Sequence, residues 1–160
     1  MTINVGDKIS SATLHIFGDN GPEAVTTDDL FSGKKVAVFG LPGAFTKTCS
    51  AQHLPGFVAN ADALKAKGLD DILCMSVNDA FVMKAWGEKH GAPGNVTMVG
   101  DGNGEFAKAI GLDQDLSARV MGVRSQRYAM VVDDGEVKML KIDPPGTYGE
   151  TSAETMLAEN

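Results

Sequence analysis

The residues of this chain best suited to chemistry lie in one run, Pro42-Gly43-Ala44-Phe45-Thr46-Lys47-Thr48-Cys49-Ser50-Ala51-Gln52-His53. Val36 to Leu41, just upstream, is short, apolar and rich in β-branched residues, the pattern of a buried strand. Pro42-Gly43 stops it. Thr46 is a candidate helix N-cap, which sets Cys49 at the third helical position, inside the first turn. Free backbone N–H groups and the positive end of the helix dipole favour a thiolate there, so Cys49 reads as nucleophilic rather than inert. The Thr46 hydroxyl, one turn earlier, can face the same pocket, either accepting from the backbone as a cap or donating to a bound oxygen.

Several uses of such a sulfur are disfavoured by what surrounds it. Dithiol exchange wants Cys-x-x-Cys, and here the run is Cys49-Ser50-Ala51-Gln52. Cys49 and His53 would share a helix face, but two ligands without a second cluster do not make a zinc site, so no metal and no cofactor is expected. His53 reads instead as a hydrogen-bonding neighbour. A cysteine protease would need a positioned histidine with an orienting Asn or Asp, and no motif specifically supports one. What remains is a lone thiolate attacking something small.

The elements that would position it follow in order. Ser11 to Phe17 alternates as a strand, with His15 structural or exposed, and Thr26 to Phe31 is a capped helical turn. Ala51 to Lys67 carries a helical apolar pattern, with Pro55 predicting a kink just after the cysteine turn. Asp71 to Val77 is a second buried strand, and Asn78 or Asp79 caps a helix over Ala80 to His90. The broad apolar face of that helix, from Phe81 to Trp86, is assigned to the core, with a subunit interface as the alternative. Thr97 to Gly100 is a short strand and Gly104 to Ile110 a short helix. Tyr128 to Val132 and Val137 to Ile142 form a hairpin about Asp133-Asp134-Gly135-Glu136, and Ser152 to Glu159 is a closing helix. Strands alternating with helices predict a three-layer α/β fold, and the late hairpin makes its sheet mixed. Ligands of such sheets bind beyond the carboxyl ends of the strands, where Cys49 falls.

The chain's 160 residues suit one domain, 1–160, with 43% hydrophobic and 22% charged residues. A net charge of −7 without a basic stripe argues against nucleic acid and anionic membranes as partners. The first residues lack the pattern of a secretory signal, and no apolar run is long enough for a membrane span. Two cysteines exclude a disulfide scaffold and suit a reducing compartment, with the cytoplasm expected.

Pro42-x-x-x-Thr46-x-x-Cys49 resembles the active-site signature of the peroxiredoxins. The longer run from Leu41 to Ser50, continuing through His53-Leu-Pro-Gly-Phe57, is similar to the type II, or peroxiredoxin-5-like, group. Further matches lie at Ser76 to Trp86, Arg127 to Val132 and Ser152 to Leu157, so the resemblance spans nearly the whole chain. It implies a thioredoxin-like fold with extra elements and reduction of hydroperoxides by thiols. By the same resemblance Cys49 is the peroxidatic nucleophile, Pro42 shields it, Thr46 binds the peroxide and Arg127 holds the thiolate and polarises the peroxide. Arg124, three residues away, is the competing arginine. Backbone N–H groups of Gly43 and Cys49 would also face the substrate. Type II relatives are commonly homodimers and draw electrons from glutathione, glutaredoxin or sometimes thioredoxin.

The chain departs from that pattern twice. Relatives commonly have proline where this chain has Lys47. A lysine at the first helical position costs about 0.3–1 kcal/mol against the helix dipole but still favours a thiolate. The stretch Gly146 to Ser152, where some members carry a resolving cysteine, has none. Cys74 sits before the end of its strand, roughly 10 Å below the level of Cys49, whereas a disulfide needs Cα atoms within about 7 Å. Cys74 therefore reads as a buried core thiol, and the cycle as a one-cysteine one resolved by an external thiol. Excess peroxide would drive Cys49 to sulfinate. Two alternatives are a redox sensor that recruits a partner when Cys49 oxidises, and a structural domain with an idle thiol. The joint presence of Pro42, Thr46 and Arg127 favours the enzyme.

Overall fold

The computed structural model describes residues 1–159. Its frame is a seven-stranded sheet in the order β2-β1-β5-β4-β3-β8-β9. The centre is parallel: β3 (Lys35–Gly40) lies beside β4 (Asp71–Ser76), and β4 beside β5 (Thr97–Gly100). Antiparallel pairs flank it, with β1 (Thr13–Gly18) and β2 (Gly21–Thr26) on one side, β8 (Arg127–Asp133) and β9 (Glu136–Asp143) on the other. The α/β class and the mixed thioredoxin-like sheet expected from the sequence are both present.

Strand periodicity divides the core into two layers. Ala37, Phe39, Leu41, Ile72, Cys74, Ala129 and Val131 face one side. There they meet α2 (Leu54–Ala59), α3 (Ala61–Ala66), α4 (Ala80–Lys89) and α6 (Ala153–Glu159) through Phe57, Leu64, Trp86 and Met156. Phe39 stacks on Phe57 with ring centroids 4.0 Å apart, pinning α2 to the strand that delivers the cysteine turn. Val36, Val38, Leu73, Met75, Tyr128 and Met130 face the other side, under α1 (Thr27–Phe31) and α5 (Glu105–Ala109).

Local signals account for most element ends. Thr26 and Asp29 form a reciprocal capping box on α1, and the Asp79 carboxylate accepts from the Val82 N–H at the start of α4. Asp134 and Gly135 both take positive φ, the geometry of a tight hairpin turn between β8 and β9.

The structure corrects the sequence-based outline in four places. Gly21 to Thr26, with its proline and glutamate, pairs with β1 as an edge strand that periodicity did not reveal. The helical segment expected over Ala51 to Lys67 is interrupted at Asn60, which leaves helical geometry between α2 and α3. On α4 the core takes Met83 and Trp86, whereas Phe81 stays 62% exposed. Residues 113–125 also form a small antiparallel pair, β6 (Asp113–Asp115) and β7 (Val123–Ser125), whose runs are too short to show alternation.

Gly40, the last residue of β3, lies opposite Tyr128, and a Cβ there would overlap the buried Tyr128 ring. Gly40→Ala is expected to lower stability by about 1–3 kcal/mol in urea unfolding; an unchanged midpoint would contradict this register.

Candidate active site

The chain leaves β3 at Gly40, and a helix starts at Lys47. Thr46 occupies the N-cap position, and its carbonyl accepts from the Ser50 N–H at 3.0 Å. Its side chain does not cap. The Thr46 hydroxyl instead donates to the Gly43 carbonyl at 2.7 Å, so its free lone pairs are acceptors rather than the expected donor. Cys49–His53 is a π-helical turn, in which the Leu54 N–H reaches back to the Cys49 carbonyl. The widened turn runs directly into Pro55, which has no N–H to offer a regular ladder. Where Pro55 predicted a kink, the helix carries a π turn that begins at Cys49.

Neighbouring elements tie this turn down. The Asn78 amide oxygen accepts from the Ala44 N–H at 3.0 Å and from the Ser76 hydroxyl at 2.6 Å. Trp86 Nε1 donates to the Ser50 hydroxyl at 2.9 Å. Arg124 Nη1 donates to the Pro42 carbonyl at 3.2 Å, and a Cβ on Gly43 would come within 2.7 Å of the same nitrogen. Arg124 therefore braces the loop rather than the sulfur, and a Cβ at position 43 would push that guanidinium aside.

Arg127 is the arginine at the sulfur. It opens β8, which runs antiparallel to β3, so its guanidinium returns to the sheet end where the cysteine turn begins. Nη2 lies 3.2 Å from Cys49 Sγ and Nη1 lies 2.9 Å from His53 Nδ1. Because an arginine only donates, His53 Nδ1 is the acceptor and Nε2 carries the proton, donated to the Thr151 carbonyl at 3.0 Å. Burial, and then the adjacent Arg127 charge, push the His53 pKa down to about 3, so the imidazole is neutral at physiological pH. Asp143 holds the far end of this chain of bonds. Its carboxylate accepts from the N–H groups of Gly149, Glu150 and Thr151 and from the Thr151 hydroxyl, and those bonds keep its pKa below the usual range despite burial. The Tyr148 ring lies beside both His53 and Arg127, with its centroid 5.9 Å from the guanidinium carbon.

The comparisons with known proteins agree with this geometry. The redoxin family model matches residues 4–157. The chain is 50% identical to the chloroplastic peroxiredoxin-2E-2 of Oryza sativa subsp. japonica, over 98% of this chain and 72% of that protein. The chain belongs to the peroxiredoxin family. Its fold superposes on reduced Prx3 from Vibrio vulnificus, solved in complex with H2O2, with a TM-score of 0.95, 47% identity and 99% of each chain covered. Peroxiredoxin 5 from Alvinella pompejana matches with a TM-score of 0.86 and 31% identity, covering 98% of this chain and 96% of that one. The protein is accordingly a thiol peroxidase.

In this peroxiredoxin, Pro42, Thr46 and Arg127 line one cleft of about 280 Å³. Cys49, whose Sγ Arg127 contacts, is fully buried and is not part of that lining. Cys74 is the other free cysteine and is also fully buried, in β4 between Phe39 and Met98. Burial and the nearby Cys49 raise its pKa well above the ordinary thiol value, which makes it a poor nucleophile. Sequence reasoning named Cys49, Pro42, Thr46, Gly43 and Arg127, and noted His53 only as a neighbour. It missed Asp143, Thr151 and Tyr148, which carry no recognisable spacing relative to the cysteine.

The neutral His53 has a consequence for stability. An unfolded histidine binds a proton near its ordinary pKa of 6.5, whereas the native one resists protonation down to about 3. Its contribution is complete above 6.5 and declines as pH falls toward 3, because the unfolded state then binds more protons. Unfolding free energy is expected to fall by about 2 kcal/mol from this group between pH 7 and 5, and denaturant titrations of His53→Gln should lack that part of the slope.

Proposed function

We propose that this peroxiredoxin reduces hydrogen peroxide and alkyl hydroperoxides through Cys49 in a one-cysteine cycle completed by an external thiol. The single observation that carries it is the 3.2 Å contact of Arg127 Nη2 with Cys49 Sγ, in a guanidinium fixed at its other nitrogen by His53. The Cys49 thiolate attacks one peroxide oxygen; an S–O bond forms, the O–O bond breaks, and water or an alcohol leaves. Arg127 stabilises negative charge as it moves from the sulfur to the departing oxygen. Thr46, whose hydroxyl proton is engaged by Gly43, accepts from the peroxide O–H and aligns it. Pro42 walls the pocket, and the N–H groups of Gly43 and Cys49 supply further donors.

The hydrogen peroxide complex of the 47% identical Vibrio vulnificus protein supports the substrate. The burial of Cys74 supports resolution without a second cysteine. Glutathione, used directly or through glutaredoxin, is the reductant of this reading, with thioredoxin its alternative. The chain would act as a single domain over residues 1–160, as a homodimer in the cytoplasm, with a role in antioxidant defence and redox homeostasis. The exposed Phe45 and Phe81 rings support self-association.

Peroxide consumption by wild type and variants tests the cycle. Cys49→Ser is expected to abolish turnover, and Arg127→Gln to slow the peroxide step by about 10²–10³. Cys74→Ser should turn over as fast as wild type with glutathione and glutaredoxin. A single turnover followed by a stall in Cys74→Ser would make Cys74 the resolving residue.

A further inference from the structure

The cleft lined by Arg127 is much larger than a peroxide requires. Its volume of about 280 Å³ compares with roughly 30 Å³ for one water in the liquid. Three segments wall it: the active-site turn, the small β6–β7 pair and the stretch after Asp143. Its charged lining is unequal. Lys47, Arg119 and Arg127 contribute cations, and Asp143 is the only carboxylate. Both oxygens of Asp143 are engaged by the 149–151 loop, and Arg127 is engaged by Cys49 and His53. Lys47 and Arg119 are exposed and form no side-chain hydrogen bond or ion pair among the described residues. A chain with a net charge of −7 thus presents two uncommitted cations in the lining of a cleft that also holds Arg127, whose guanidinium contacts the Cys49 sulfur.

We propose that this cleft is a binding site for a carboxylate-bearing low-molecular-weight thiol, held by Lys47 and Arg119, which resolves oxidised Cys49. The assignment rests on the thiol peroxidase reading above and names the site and chemistry of its reductant. Lysine at position 47, unfavourable for the helix it begins, gains a purpose as one of two carboxylate anchors. The ligand's thiolate attacks Cys49 sulfenate; an S–S bond forms, the S–O bond breaks, and hydroxide leaves as water after taking a proton. The sulfenate sulfur is reduced and the ligand sulfur oxidised. A second thiolate then displaces Cys49 thiolate, releasing the ligand as its symmetrical disulfide. Because Sγ is buried, the Cys49–His53 turn must loosen for the first attack, and a ligand already held in the cleft meets the opened sulfur at high local concentration.

The test uses the full chain converted to sulfenate with one equivalent of H2O2 and then mixed with glutathione or with neutral 2-mercaptoethanol. Mixed-disulfide formation is followed by quenched-flow mass spectrometry, with rates corrected for thiolate fraction. In Lys47→Glu/Arg119→Glu the glutathione-to-mercaptoethanol rate ratio is expected to fall about tenfold, whereas Lys47→Arg/Arg119→Lys should retain it. A ratio unchanged by charge reversal would overturn the proposal. A parallel arm compares oxidation of the reduced protein by a carboxylate-bearing hydroperoxide and by tert-butyl hydroperoxide. If charge reversal alters only that pair, the cleft selects the peroxide and the thiol assignment is wrong. Failure of wild type to form sulfenate with any peroxide would overturn the peroxidase reading itself, and the cleft assignment with it.

Discussion

Arg127 joins the two halves of the site: one guanidinium nitrogen faces the Cys49 sulfur and the other faces a neutral imidazole. A guanidinium that touched only the sulfur would be free to swing with its flexible stem, and a protonated His53 would repel it. Burial keeps His53 uncharged, and the Thr151 carbonyl fixes its tautomer so that a lone pair points at Arg127. The donor is therefore oriented before substrate arrives, which is the condition under which fixed charges accelerate a reaction most.

The sheet supplies the rigidity behind that bridge. β3 carries the chain to the cysteine turn, and β8, antiparallel to it, begins at the same sheet end with Arg127. β9 ends there with Asp143, directly opposite Arg127. A β-bulge between β8 and β9 sets this pairing: the register at the turn, carried through unchanged, would bring Ile142 opposite Arg127. One extra residue in a hairpin thus decides whether the loop holding His53 is anchored by a carboxylate or left without one.

The two cysteines show how far environment governs an otherwise identical group. Both are buried and share one apolar layer of the core. Cys74 is held mid-strand among apolar neighbours, so ionising it is costly. Cys49 starts a π-helical turn and faces a guanidinium that itself lines a cleft. Of the two sulfurs, only Cys49 has a guanidinium within hydrogen-bond reach among the described residues.

The sequence by itself determined the alternation of strands and helices, the capping box on α1, the Asp79 cap, the hairpin turn and the cysteine in a first helical turn. These depend on short-range rules: side-chain periodicity, cap chemistry and the φ/ψ tolerance of Gly and Pro. The family motifs added Arg127, which no local rule connects to a residue so distant in the chain. Tertiary structure alone decided that Thr46 donates to Gly43, that Arg124 grips Pro42, and that Asp143 reaches His53 through the 149–151 loop. Each of those choices is a competition among donors and acceptors brought together by strand register, and register is set by the packing of the whole sheet rather than by neighbours in sequence.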